Sequence, residues 1–360
     1  MKKAFISDCE GPISKNDNAF EITSQFVQNG DKLFTVISRY DDLLADILKK
    51  PDYKAGYTLK LILPFLNAFG ITDQKMREFS AQTLTLIPNA RDTLQYVREI
   101  AYAFIVSTSY EHYIKALCHA LNFPYENTYC TMVNIDKYDI TEEEKKRLKK
   151  LAREISRMPM IEISSGAKSL NDFPEEYRKA KQRLDEIFWK EIANMESGKI
   201  FHEVNPLGSG EKANAVKYAA ERAGVDLSNI MYVGDSITDV EAFKLVKEND
   251  GLAVSFNGNQ YAVEGAEIAV LSENSVVIAV IADVFCRFGK LETLDLVENW
   301  NREALRRSPV TPTLLSRLFQ IYRKKLPKAK IVTSENMEIL SRESREFRKK
   351  VRGEAIGRLG

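Results

Sequence analysis

The feature that most constrains this chain is a recurring unit, in which a short apolar run stops at an acidic or hydroxyl residue and gives way to a helical pattern. Residues 3–8 (KAFISD) run into CEGP, the pattern of a buried strand ending in a turn. Residues 102–107 (YAFIVS), 230–235 (IMYVGD) and 251–256 (GLAVSF) look alike, and 128–133 and 268–271 are weaker members of the set. Helical patterns lie between them at 89–100, 110–121, 212–223 and 239–248. Apolar strands alternating with helices predict the α/β class, with a doubly wound, mostly parallel sheet covered on both faces. Ligands of such sheets bind beyond the carboxyl ends of the strands. Asp8, Ser107 and Asp235 fall there.

Two segments interrupt the rhythm. Residues 19–86 read as several helices rich in Leu, Phe and Tyr, with breaks near Asn29-Gly30, Pro51, Pro64 and Gly70. Residues 141–197 read as two charged helices separated by SSGAKSLNDF; Leu148, Leu151 and Ile155, then Leu184, Ile187 and Phe188, suit an antiparallel hairpin with one buried stripe. The expected organisation is a core at 1–18, 87–140 and 198–283, a helical cap at 19–86, a helical hairpin at 141–197 and a helical extension at 284–360 broken at Pro309, Pro312 and Pro327. A chain of 360 residues suits a main domain with appended modules.

Four short constellations carry chemistry. Asp8-Cys9-Glu10-Gly11 places two acids beyond the first strand, where one carboxylate can attack phosphorus and the other can protonate a leaving oxygen and later deprotonate water. Alone, Asp8 reads equally as a strand-end cap. Ser107-Thr108-Ser109 offers hydroxyls and free backbone N–H groups for a phosphate, as any helix N-cap would. Lys212, in GSGEKANAVKYA, can offset the charge of a transferring phosphoryl group. The neighbouring Gly208-x-Gly210-x-x-Ala213 only partly matches a dinucleotide loop, and residues 202–207 are not the buried strand that such a loop requires. Residues 230–239 (IMYVGDSITD) end a strand at Asp235 with Asp239 four residues on, so Asp8 and Asp235 from neighbouring strand ends would suit the oxygen ligands that Mg²⁺ prefers.

In this order and strand context, the four constellations resemble the haloacid dehalogenase superfamily, and its phosphoserine phosphatase branch in particular. Asp8-Cys9-Glu10-Gly11 looks like the family's D-x-D motif, Ser107 after FIV like its hydroxyl residue, Lys212 like its lysine and Gly234–Asp239 like its GD-x-x-x-D. The resemblance implies a Mg²⁺-dependent phosphomonoester hydrolase or phosphotransferase working through an aspartyl-phosphate on a small phosphorylated metabolite. Asp8 would be the nucleophile and Glu10 the acid/base; Ser107, Thr108 and Lys212 would bind phosphate; Asp8, Glu10 through its backbone carbonyl, and Asp235 would hold the metal; Asp239 and Ser236 would support them. The 19–86 insert falls where the family places its lid. Glu21 lies in the region where phosphoserine phosphatases keep a substrate-reading glutamate, offset by four residues.

Two departures stand out. Glu10 replaces the usual second aspartate, and Pro12 the usual small hydroxyl residue. The extra methylene moves the acid by about 1 Å or more, a displacement that can cost on the order of 100-fold in rate. A family member with weak or no turnover, serving as a regulatory or assembly subunit, is therefore the alternative; archaeal proteins named as subunit R of an energy-converting hydrogenase look similar. Metal-free dehalogenation by Asp8 has no need of Glu10 or of the Asp235/Asp239 pair.

Charge is uneven, since residues 301–360 carry 16 Lys+Arg against 6 Asp+Glu in a chain of net charge +1. Such a basic tail suits an acidic protein or a membrane surface, or else folds back on its own acidic body; nucleic acid is not expected. No apolar run approaches the roughly 20 residues of a membrane span, and the first residues turn polar too soon for a signal peptide, so a cytoplasmic setting is expected. The four cysteines lack metal or disulfide spacing and read as core residues. His112, His119 and His202 likewise lack ligand spacing.

Overall fold

The computed structural model describes residues 2–163 and 167–359. Seven strands form its sheet: β1 (Ala4–Ser7), β2 (Tyr102–Tyr110), β3 (Thr128–Thr131), β4 (Ile230–Gly234), β5 (Leu252–Phe256), β6 (Ile268–Leu271) and β7 (Lys328–Ile331), in the order β3-β2-β1-β4-β5-β6-β7. All neighbours are parallel except β6 and β7. The strand order reverses direction at β1 and β4, the switch point where doubly wound sheets open a crevice for ligands.

Between β1 and β2 come helices α1 (Asn18–Phe26), α2 (Gly30–Asp42), α3 (Thr58–Ala68), α4 (Asp73–Thr83) and α5 (Ala90–Ile100). Helix α6 (Glu111–Leu121) joins β2 to β3, and α7 (Glu142–Ile155) and α8 (Glu175–Glu186) precede β4. Successive strand residues face opposite sides of the sheet. Phe5, Ile105, Met231 and Val233 therefore pack with α5, α6 and the Val276–Phe288 helix. Ala4, Ile6, Phe104 and Tyr232 pack on the other face, with the helices Gly210–Ala223 and Val240–Glu248.

A separate apolar cluster stands over the carboxyl ends of the strands. It joins Phe20, Phe34, Tyr40 and Leu63 of the first insert to Leu148, Leu151, Leu184 and Phe188 of the second. Arg183 pairs with Glu154 at 2.6 Å and Arg147 with Glu191, so α7 and α8 run antiparallel. Ser164-Ser165-Gly166 of the connecting segment lies outside the described residues.

Three sequence expectations need correction. Pro64 does not break a helix: it lies inside α3, buried among Leu61, Ile62, Leu63, Phe65 and Leu66. An interior proline costs about 3 kcal/mol, and burial of five large side chains, each contributing about 1.5–3 kcal/mol, offsets that cost. Second, the strand that starts at Tyr102 continues to Tyr110 rather than ending at Ser107, with a register shift against β3 between Val106 and Tyr110, and α6 begins at Glu111, one residue later than expected. Third, the C-terminal extension is not wholly helical. Residues 328–331 (KAKI) add β7 antiparallel to β6, and the exposed lysines of an edge strand disguise its apolar face.

The basic tail folds back. Arg317 pairs with Asp92, Lys350 with Glu273, and Arg348 and Arg352 with Asp235. Among the described residues no helix is long and apolar enough to cross a membrane. The four cysteines are free, and Cys9, Cys118 and Cys130 are buried.

Candidate active site

The strand ends bring Asp8, Lys212, Asp235 and Asp239 together. Asp8 follows β1, and its N–H donates to the carbonyl of Val233 at 2.8 Å, tying the β1 turn to β4. Lys212, on the first turn of the Gly210–Ala223 helix, is fully buried and donates to Asp8 Oδ2 at 2.5 Å and Asp239 Oδ1 at 2.7 Å. Asp239 is saturated: Oδ1 also accepts from Tyr232 Oη at 2.6 Å, and Oδ2 accepts from the N–H groups of Asp235 at 2.9 Å and Ser236 at 3.0 Å. It thus fixes both the lysine and the turn that carries Asp235. Two glycines permit this packing. A Cβ on Gly11, whose φ is +106°, would lie 2.1 Å from Asp235 Oδ2, and one on Gly234 would lie 2.4 Å from Asp239 Cγ.

Burial and neighbours set the charge states. Burial pushes the Asp8 carboxyl up to about 7 even though Lys212 pulls it down. For Lys212, burial favours the neutral amine, but Asp239 and Asp8 outweigh it and the ammonium is held. Asp239 is likewise penalised by burial and kept below the ordinary carboxylate range by Lys212. Each partner needs the others, because an unpaired buried charge is costly.

Carboxylate oxygens of Asp8, Asp235 and Asp239 lie within 4.8 Å of one another. An all-oxygen donor set suits a hard cation such as Mg²⁺. Asp8 and Asp235 are carboxylates that could hold it, each already accepting from charged donors, Lys212 on Asp8 and Arg348 and Arg352 on Asp235. The Glu10 carboxyl is not part of this cluster. Its Oε1 accepts from the N–H of Asn18 at 2.7 Å, at the start of α1, which leaves its backbone carbonyl as the group that a metal could use. Burial first, then Asp17, push the Glu10 carboxyl well above its ordinary range.

Ser107 is buried, and its Oγ donates to Ser109 Oγ at 3.0 Å while accepting from the Ser109 N–H at 3.3 Å. Thr108 Oγ1 stands 3.5 Å from Thr238 Oγ1, across the crevice between β2 and β4. Ser107, Thr108 and Ser236 line one cavity of about 120 Å³ with Asp8, Glu10 and Asp235. Phe34, Ser38 and Leu59 form its cap side. Glu21 does not line this cavity; its carboxylate accepts from Asn16 Nδ2 at 3.0 and 2.7 Å. His112 Nε2 meets Asp73 Oδ1 at 2.7 Å and ties α6 to α4, a structural link. A groove of about 1270 Å³ near Trp300, Tyr322 and Phe347 contains none of Asp8, Lys212, Asp235 and Asp239, whereas Asp8 and Asp235 line the smaller cavity and Lys212 and Asp239 lie buried behind it.

Sequence reasoning missed Asp17, Asp41, Asp42, Arg348 and Arg352, which also line the cavity. The acids sit at helix ends: Asp17 caps the start of α1, accepting from the Phe20 N–H at 3.0 Å, while Asp41 and Asp42 close α2, where Asp41 Oδ2 accepts from the Thr58 N–H at 3.0 Å. The arginines come from the far end of the chain, and their only signal was a four-residue spacing that places both on one helix face.

A family model of haloacid dehalogenase-like hydrolases matches residues 80–281. Fold, strand-end site and this match together define the class: the chain belongs to the haloacid dehalogenase-like hydrolase family. A gene product of Archaeoglobus fulgidus is similar in structure over 100% of this chain and 99% of its own, at 25% identity and a TM-score of 0.79. A phosphoserine phosphatase in apo form matches 77% of this chain and 98% of its own at 14% identity with a TM-score of 0.44, and a probable phosphoserine phosphatase from Vibrio cholerae matches 80% and 66% at 12% and 0.41. No curated protein matches the chain.

Proposed function

We propose that the chain is a Mg²⁺-dependent phosphomonoester hydrolase that forms an aspartyl-phosphate on Asp8. The observation that carries this reading is the placement of Lys212 Nζ, fully buried, 2.5 Å from Asp8 and 2.7 Å from Asp239. A structural ion pair would need one acid; here a lysine bridges a nucleophile-type carboxylate at the switch point and a second acid that is locked in place.

Asp8, Asp235 and the Glu10 carbonyl would hold Mg²⁺, which when bound supplies positive charge to the transferring phosphoryl oxygens. The Ser107 and Thr108 hydroxyls and Lys212 orient those oxygens so that the Asp8 carboxylate lies in line with the ester bond. As the P–O bond breaks, Glu10 gives its proton to the leaving oxygen from Oε2, since Oε1 accepts from Asn18. In the second half, the Glu10 carboxylate takes a proton from water, which attacks the acyl phosphate and frees Asp8 and orthophosphate. An acceptor alcohol in place of water gives phosphotransfer. A cavity of about 120 Å³ walled by the cap supports a small phosphorylated metabolite as substrate.

The expected outcome is Mg²⁺-dependent hydrolysis of p-nitrophenyl phosphate, lost on chelation and lost by at least about 1,000-fold in Asp8→Asn. Turnover indifferent to both would refute the proposal. The engagement of Glu10 with α1 favours one second reading, a member with little turnover that serves as a subunit of a larger complex. Mg²⁺ and phosphate binding without turnover over a panel of phosphomonoesters, together with a stable co-purifying partner, would decide for it.

A further inference from the structure

The C-terminal helix Met337–Arg352 delivers two cations to the candidate metal ligand. Arg348 and Arg352 lie one turn apart on its inner face and are 4% and 9% exposed. Arg352 Nη1 donates to Asp235 Oδ2 at 3.0 Å, its Nε to the Lys15 carbonyl at 3.0 Å, and its Nη2 to the Asn16 carbonyl. Arg348 Nη1 donates to Asp235 Oδ2 and, at 3.2 Å, to the Asp235 carbonyl, while its buried Nε has no partner. Ser344 Oγ donates to the Gly258 carbonyl at 2.7 Å, so the arginines come from a docked helix. Beyond it, Arg39 donates to the Arg358 carbonyl and Leu359 joins the cap's apolar cluster. The chain end thus crosses from the core, past Asp235, to the cap.

Two guanidinium groups on one carboxylate oxygen take up its lone pairs and repel a dication. Lys212 makes no contact with Asp235; it binds Asp8 and Asp239. We propose that Arg348 and Arg352 set the affinity of the site for its divalent cation, the metal competing with Arg348 for Asp235 Oδ2. Arg348 is the one displaced, since its Nε is unsatisfied, whereas all three guanidinium nitrogens of Arg352 are bonded. Metal loading is thereby linked to the seating of the C-terminal helix. The proposal rests on Asp235 being a metal ligand, as the proposed function requires.

Mn²⁺ binding to the full chain, followed by the electron paramagnetic resonance signal of the free ion with Mg²⁺ as competitor, separates the two. Arg348→Gln should bind Mn²⁺ at least about tenfold more tightly than wild type, and Asp235→Asn should lose binding. Unchanged or weaker binding in Arg348→Gln, with binding still lost in Asp235→Asn, overturns this inference and leaves the metal site standing. Binding retained in Asp235→Asn overturns the metal site itself. Hydrogen exchange on the wild-type chain needs no variant: amides of residues 344–352 should exchange faster with Mn²⁺ present, and unchanged or slower exchange contradicts the competition.

Discussion

In the proposed mechanism Glu10 is the residue on which turnover depends, and its position follows from length. One methylene more than aspartate lets Oε1 reach the Asn18 N–H at 2.7 Å, so the acid spans the gap between the β1 turn and the cap. Glu10→Gln keeps that acceptor but cannot shuttle a proton, and should lower kcat by about 100-fold or more in steady-state assays. Glu10→Asp is expected to lower it also, because the shorter acid gives up α1; a rise in kcat would show that Glu10 is a handicap. Asp42 provides a second test at this scale. Burial pushes its carboxyl from 3.8 up to about 7, with Arg39 at 3.5 Å only partly offsetting the cost. Between those values the folded chain keeps a proton that the unfolded chain has released, so Asp42 lowers stability as pH rises from about 4 to about 7, with no further loss above. Asp42→Asn should therefore raise Tm at pH 8 by about 2 °C or more and leave it nearly unchanged at pH 4, read by thermal melts at the two pH values. An equal shift at both would contradict the assignment.

Elements were legible where both faces of a strand are buried. The runs at β1, β4 and β5 are mostly apolar, with Ser7 and Ser255 the polar exceptions, and end within a residue or two of where the sequence places them. Elements that draw their stability from elsewhere were not. Helix α3 tolerates Pro64 because the cap cluster surrounds it, and β7 forms because β6 offers an open edge. The extension of β2 through Ser107-Thr108-Ser109 hides in the same way. Ser107 and Ser109 are buried there and satisfy each other, so composition signalled a helix cap while the structure has a strand with shifted register.

Across the whole molecule, Asp8, Lys212, Asp235 and Asp239 could be found from sequence because strand-end position and chain order coincide with chemistry. Arg348 and Arg352 could not. They approach Asp235 from more than 110 residues away, and their charges belong to a tail whose surplus reads equally as a surface for partners. The fold resolves that ambiguity for these two side chains, because the carboxylate cluster at the switch point needs cations and the tail supplies them. The measurement that tests the central claim most directly is mass spectrometry of the full chain, acid-quenched during turnover of a phosphomonoester with Mg²⁺. The account predicts a single phosphoryl adduct on the peptide that contains Asp8, removed by hydroxylamine and missing in Asp8→Asn. Turnover without that adduct, undiminished in Asp8→Asn, would contradict it.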